Sequence, residues 1–489
     1  MGYSHDPITH GPFQFHFLAL VYFLLGDSDY TARIPAAITS VLTILFLWKY
    51  RRYLGNWGTL AAALMFLISP FMLYYGRYAR NEAFSALFGV ITIWAILRYF
   101  ETKSPRFLYW LTAATVLHFA SKETAFIYTA QAMIFLGIVY IIDMMKNNWV
   151  KPIYKKIFLY ALIIAAVLIG ITVIITLLTP EIPEITTETT SMPMSMMVIV
   201  PLVLVLTLLL VALYCSIRGF TWSRLKSLPS FSMLLLLSTL VLPLITAWFA
   251  RMAGLNPLDY SIPGMLKTGA IVLALTLIAV TIGLFWNPRE WLINVAIFYI
   301  PFTILYTTVF TNGNGFFTGL VGSLGYWLEQ QAVERGSQPR YYYWLIQLPV
   351  YEYLPALGAL VTMVGTTIHR IFNFGTDTVP DENSLPASEP KAPVFGLLVW
   401  WSLSSLIAYY IAGEKMPWLT VHIALPLILL SAWGFQKLMA NFEWKSFSEK
   451  HGWLVLMLIL VFLAGFGKSI GSLLSANPPF QGQELYQLQ

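Results

Sequence analysis

Five short polar groups interrupt an otherwise apolar sequence of 489 residues. The first is His5-Asp6-Pro7-Ile8-Thr9-His10-Gly11-Pro12, and the second is Arg77-Tyr78-Ala79-Arg80-Asn81-Glu82. The third, Ser121-Lys122-Glu123-Thr124, sets charges between two runs that otherwise read as continuous membrane. The fourth runs from Gln330 to Tyr343 with Glu334, Arg335, Gln338, Arg340, Tyr341, Tyr342 and Tyr343, followed by Glu352. The fifth is Gly413-Glu414-Lys415-Met416-Pro417-Trp418. Arg and Lys neutralise and hydrogen-bond phosphate oxygens. Aromatic rings stack on sugars, and a carboxylate can take a proton from an acceptor hydroxyl. A lipid whose head group is a sugar joined to phosphate suits that set.

Each group also has a plainer reading. His5, Asp6 and His10 could hold a metal, although a spacing of five with no assured helix is a weak pattern. Lys122–Glu123 and Glu414–Lys415 could be neutralising pairs at helix ends, and the tyrosine run could be an interfacial belt. Arg77 and Arg80, three apart, would share a helix face if the helix continues. Glu82 is the hardest to dismiss, because a carboxylate opening an apolar span beside two arginines needs a partner or a function.

The elements that position these groups follow from composition. The chain is 58% hydrophobic and 11% charged, with mean hydropathy +0.70 and 16% aromatic residues. Soluble proteins carry roughly 25% charged residues, so this is a polytopic membrane protein. One cysteine, Cys215, excludes an intrachain disulfide framework, an iron–sulfur cluster and a cysteine-based zinc site. The net charge of +6 falls in short clusters between apolar runs rather than along one stripe, which argues against a nucleic-acid partner.

A crossing helix needs roughly 20 mostly apolar residues. Such runs lie near 33–49, 57–75, 83–100, 107–121, 124–145, 157–179, 196–217, 231–250, 268–286, 291–310, 350–370, 394–412, 418–438 and 453–474. The expected fold is therefore all-α, with about fourteen transmembrane helices, the one at 107–121 being short. No alternation of the kind a β-barrel needs is present. Placing the 49–53 loop in the cytoplasm puts most of the 29 cations on the inner side. All five polar groups then share the outer side. Segment 13–26 is too short to cross and suits the membrane interface. No basic leader precedes it.

The stretch His10-Gly11-Pro12-Phe13, the apolar segment to Gly26, and Ala32-Arg33-Ile34-Pro35 together resemble the GT-C membrane glycosyltransferases. Protein mannosyltransferases and the lipid A aminoarabinose transferase are members of that superfamily. The likeness is closest to a flippase-activity-associated subfamily of archaeal-type protein glycosylation. Tyr75 to Glu82, Ser121 to Thr124, Arg335-Gly336-Ser337-Gln338-Pro339 with Tyr341 to Tyr343, and Gly413 to Trp418 look like its blocks.

This resemblance implies one GT-C-like domain over 1–489. Residues 1–32 would be an outer loop with a juxtamembrane helix, 33–310 the N-terminal helices, 311–349 a second large outer loop, and 350–489 the C-terminal helices. The superfamily holds a polyprenyl-phosphate sugar on the outer face and uses one acid in the first outer loop and another in the second. Glu82 corresponds to the second. The first is normally an Asp-Glu pair after the first family helix, and Asp6 lies in that loop but off the motif position. The family's first helix is thus expected to be missing here, through a late start or in an inactive copy.

The resemblance gives catalytic roles to Asp6, or the missing acid, as general base, and to Glu82, orienting the acceptor or a metal. Arg77, Arg80, Lys122, Arg335, Arg340 and Lys415 would hold the phosphate. His5, His10, Glu123, Gln338, Tyr341, Glu352 and Glu414 would complete the substrate site. No cofactor is required in principle, but some relatives use a divalent cation. The acceptor would be a protein, glycan or lipid outside the cytoplasmic membrane. One rival is a non-catalytic component that binds or translocates lipid-linked sugars. Another is a solute transporter, which would need internal repeats that the sequence does not show.

Overall fold

A computed structural model describes residues 5–6, 10–178, 196–330, 338–339, 341–372, 392–413, 415–440 and 453–473. Helices occupy all fourteen apolar runs, and no strand occurs among the described residues. In chain order they begin with α1 (Phe13–Leu25), α2 (Asp29–Leu47), α3 (Arg51–Ile68), α4 (Pro70–Tyr75) and α5 (Glu82–Thr102). Next come α6 (Pro105–Phe119), α7 (Thr124–Lys146), α8 (Pro152–Leu178), α9 (Met196–Phe220), α10 (Trp222–Ser227), α11 (Pro229–Val241) and α12 (Thr246–Met252). Then follow α13 (Ile262–Trp286), α14 (Pro288–Tyr306), α15 (Asn314–Phe317), α16 (Ser323–Gln330), α17 (Leu348–Tyr351) and α18 (Tyr353–Phe372). The last are α19 (Val394–Ile411), α20 (Thr420–Ala440) and α21 (Trp453–Leu473).

Among the described residues, nine helical stretches are long and apolar enough to cross a membrane, or ten if a bent pair counts as one. Part of the difference from fourteen is that two runs merge, one is short and one starts at a bend. The run at 29–68 is one continuous 40-residue stretch, within which Gly55 takes a non-helical conformation. The run at 350–370 begins at a 109° bend between 342–351 and 353–369, with Glu352 at the break. The α6 helix has 15 residues. At 13 residues, α1 is likewise too short to span, and its Leu20, Phe23, Leu24 and Leu25 are exposed as an interfacial helix requires.

Local sequence sets many of the ends. Proline opens α4, α6, α11, α13 and α14, where a missing N–H costs nothing. Ser28 forms a capping box with Thr31 before α2.

Packing divides the chain into two compact units, residues 1–435 and 436–489. Within the first, α5 and α20 are the most enclosed spans, with 78% and 83% of their apolar windows buried. By contrast, 17% is buried in α8 and 22% in α13, so these two face outward. Bilayer lipid removes the hydrophobic drive for helix association, so close van der Waals fit must hold α5 in place. Small residues Ala83, Ala86, Gly89 and Ala95 are buried along it, and Gly89 packs directly on the Tyr128 ring of α7.

Candidate functional site

The N-terminal segment is stapled to the end of α6. The Gly11 amide donates to the Ser121 carbonyl at 3.3 Å and the Phe13 amide to the Ala120 carbonyl at 2.8 Å. Only glycine fits at position 11, because a Cβ there would collide with the Ala120 carbonyl. Phe13 then packs edge-on against Phe84 and Phe88 of α5, at 5.4 and 5.6 Å. These contacts bring three of the five polar groups to one place.

At its centre is Glu82, the first residue of α5, with no exposed surface. Lys122 Nζ lies 2.5 Å from its Oε1 and Arg80 Nε lies 3.3 Å from its Oε2. A buried carboxylate is tolerated only with such partners. The Arg80 guanidinium also stacks 3.8 Å over the Trp418 ring, which brings in the fifth group. Its side chain keeps 27% exposure against 5% for Lys122. Arg80 is therefore the accessible cation, and Lys122 is the internal one.

A hydrogen-bonded histidine–carboxylate pair lies beside the first. His10 Nδ1 is 2.6 Å from Glu123 Oε2. Burial pushes the Glu123 carboxyl up, but the His10 imidazole and its hydrogen bond outweigh it and hold the group below its ordinary value. His5, fully enclosed, meets Thr318 Oγ1 at 2.7 Å and the Tyr306 ring edge-on at 4.6 Å. Burial drives its imidazole down to about 4, with the Glu123 and Asp6 carboxylates pulling the other way. Thr318 opens a π-helical turn, Thr318–Gly322, a distortion frequent at functional sites.

Other predicted residues are placed differently. The Arg77 side chain turns back along its own segment, Nε donating to the Leu73 carbonyl at 3.1 Å. Asp6 is exposed and acts electrostatically on His5 and Tyr260. Lys415 Nζ donates to the carbonyls of Tyr409 at 3.1 Å, Tyr410 at 3.0 Å and Ala412, at the C-terminal end of α19. Glu352 is buried at the helix break, where its Oε1 accepts from Ser69 Oγ at 2.5 Å and the Phe71 amide at 3.3 Å. It thereby ties the break to α4. Tyr341 is about half exposed, and neighbouring Tyr343 donates to the Met416 carbonyl at 3.1 Å, which joins the fourth and fifth groups. Gln338 is described and half-buried. Arg335, Arg340 and Glu414 lie outside the described residues.

Sequence reading missed the floor beneath the Glu82–Lys122 pair. There, His118 Nε2 lies 3.2 Å from Thr124 Oγ1, and Tyr128 Oη lies 3.0 Å from His422 Nδ1. Tyr409 stacks on His422 at 5.6 Å. His118 sits four residues before Lys122, and His422 four after Trp418. Polar residues that close to two motif blocks were the available signal.

No group of three His, Cys, Asp or Glu suited to a metal occurs among the described residues. His5 and His10 turn to different partners, and Glu82 and Glu123 are each committed to a basic side chain.

Residues 9–172 match the family described as dolichyl-phosphate-mannose-protein mannosyltransferase. The matched stretch holds His10, Arg77, Arg80, Glu82, Lys122 and Glu123, and the match supports the GT-C kinship that the motifs imply. No curated protein matches the chain.

Proposed function

We propose that this protein is a membrane glycosyltransferase that moves a sugar from a polyprenyl-phosphate donor to an acceptor hydroxyl at the outer face of the cytoplasmic membrane. The observation that carries this reading is the convergence of Arg80, Glu82, Lys122, Glu123, His10 and Trp418 from four separate segments at helix ends. The family match over the segment that supplies five of the six supports it. So does the weight of Lys and Arg in the loops assigned to the opposite side.

In this reading Arg80, partly exposed and braced on Trp418, neutralises the phosphate as the bond to the sugar breaks. Preorganised charge of this kind is usually the largest catalytic contribution. Lys122 holds Glu82, and Glu82 in turn holds Arg80 in place. The sugar is a hexose or pentose, and the subfamily is the archaeal-type glycosylation group whose blocks the sequence resembles.

The test is release of dolichyl phosphate from dolichyl phosphate mannose by purified protein in proteoliposomes. Wild-type protein is expected to turn over, and Arg80→Ala to lose about 10²–10³-fold in kcat/KM. Saturable donor binding with no release would instead support a non-catalytic lipid-sugar binding component.

A further inference from the structure

We propose that His10, oriented by Glu123, is the general base that takes the proton from the acceptor hydroxyl. This rests on the glycosyltransfer reading and assigns the proton-transfer role within that site.

Three observations carry it. The first is the arrangement of the pair. Glu123 Oε2 engages His10 Nδ1 at 2.6 Å, the carboxylate side chain being 9% exposed and the imidazole 37%. The acid is therefore at the back and the ring at the opening. A carboxylate on Nδ1 fixes the tautomer with the proton there and stabilises the imidazolium that forms after proton transfer. Nε2 is left with its lone pair, and it makes no hydrogen bond among the described residues.

The second is backbone strain. His10 has φ +68°, in the left-handed region that residues other than glycine rarely adopt. Such conformations persist where the surroundings over-determine them, and they cluster at active sites. Here the surroundings are the two amide bonds from Gly11 and Phe13 to the end of α6. They hold the strained residue against the acid two positions beyond Ser121.

The third is the state of the neighbouring Glu82. Glu82 has no exposed surface, and both its oxygens face cations. It has no accessible lone pair for a substrate proton. Glu82 serves as the anchor of Lys122 and Arg80, and the base is the dyad beside it.

The step balances. The acceptor O–H gives its proton to His10 Nε2, and the oxygen pair forms the new bond to the anomeric carbon. The bond from that carbon to the phosphate oxygen breaks, and its electron pair leaves on the polyprenyl phosphate, opposite Arg80. The imidazolium then returns its proton to water.

The assay again uses dolichyl phosphate mannose in proteoliposomes, with kcat and donor KM read separately. His10→Gln is expected to lower kcat about 10²–10⁴-fold with donor KM unchanged. Imidazole added to His10→Ala is expected to restore turnover in proportion to its concentration, which a purely structural histidine would not allow. Glu123→Gln keeps a hydrogen-bonding partner for His10 but loses the charge, and it should lower kcat while leaving the melting temperature near wild type. It is also the deciding variant should the His10 substitutions fail to fold. Wild-type kcat in His10→Gln or in folded Glu123→Gln, or loss without imidazole rescue, overturns the dyad while the glycosyltransfer reading stands. Absence of release by the wild-type protein overturns both.

Discussion

The Lys122 ammonium lies 2.5 Å from the Glu82 carboxylate, 40 residues earlier in the chain, and both side chains are almost wholly enclosed. Glu82 opens α5, whose helix dipole favours a negative charge at that end. Lys122 sits in the turn between α6 and α7, its amide bonded to the His118 carbonyl at 2.9 Å. The pair fixes the spacing of three helices at the site.

Removing one member of a buried pair leaves an uncompensated charge and typically costs about 3–5 kcal/mol. Lys122→Met is expected to lower the melting temperature of the detergent-solubilised protein sharply. The double variant Lys122→Met with Glu82→Gln should recover much of that loss, because a neutral amide in place of the carboxylate needs no counter-charge. A double variant as unstable as the single one would show that the stability lies elsewhere in Lys122.

Lys415 belongs to a motif block but points at backbone. Lys415→Met leaves carbonyls at the end of α19 without their ammonium donor, a loss of about 1–3 kcal/mol. The expected outcome is a lower melting temperature with donor KM unchanged, measured on the same preparation. A large rise in KM at wild-type stability would instead return Lys415 to the substrate site.

His5 ties stability to pH. Burial lowers its imidazole from 6.5 to about 4, so the unfolded chain binds the proton more readily than the folded one. The stability this contributes is complete above pH 6.5 and is lost progressively as pH falls toward 4. Melting temperatures across that window should fall less steeply in His5→Asn than in wild type. Equal slopes would mean that His5 titrates normally. The carboxylates facing it, Glu123 and Asp6, oppose the shift that burial imposes.

Much of this protein is legible in one dimension. Among the described residues each apolar run coincides with a helix, because a segment of that kind must bury its backbone in a helix wherever it lies in lipid. The brevity of 13–26 likewise marked it as too short to cross, and α1 has 13 residues. The five polar groups were also visible, since charge beside a span is costly and conspicuous. Helix breaks were less so. The run at 350–370 shows no sign of the 109° bend at its start, where Glu352 is held by Ser69, 283 residues away.

Which charges meet was decided only by tertiary structure. Lys122 and Lys415 are alike in sequence, each beside a glutamate between apolar runs, but one pairs with Glu82 and the other with the carbonyls of α19. His10 and Glu123 are separated by 113 residues, and they meet because Gly11 lets the N-terminal segment lie against the end of α6. Hydropathy and helix length are properties of contiguous residues, so a sequence holds them outright. A hydrogen bond depends on ångström-scale distances between residues far apart in the chain, and those exist only once the helices have packed.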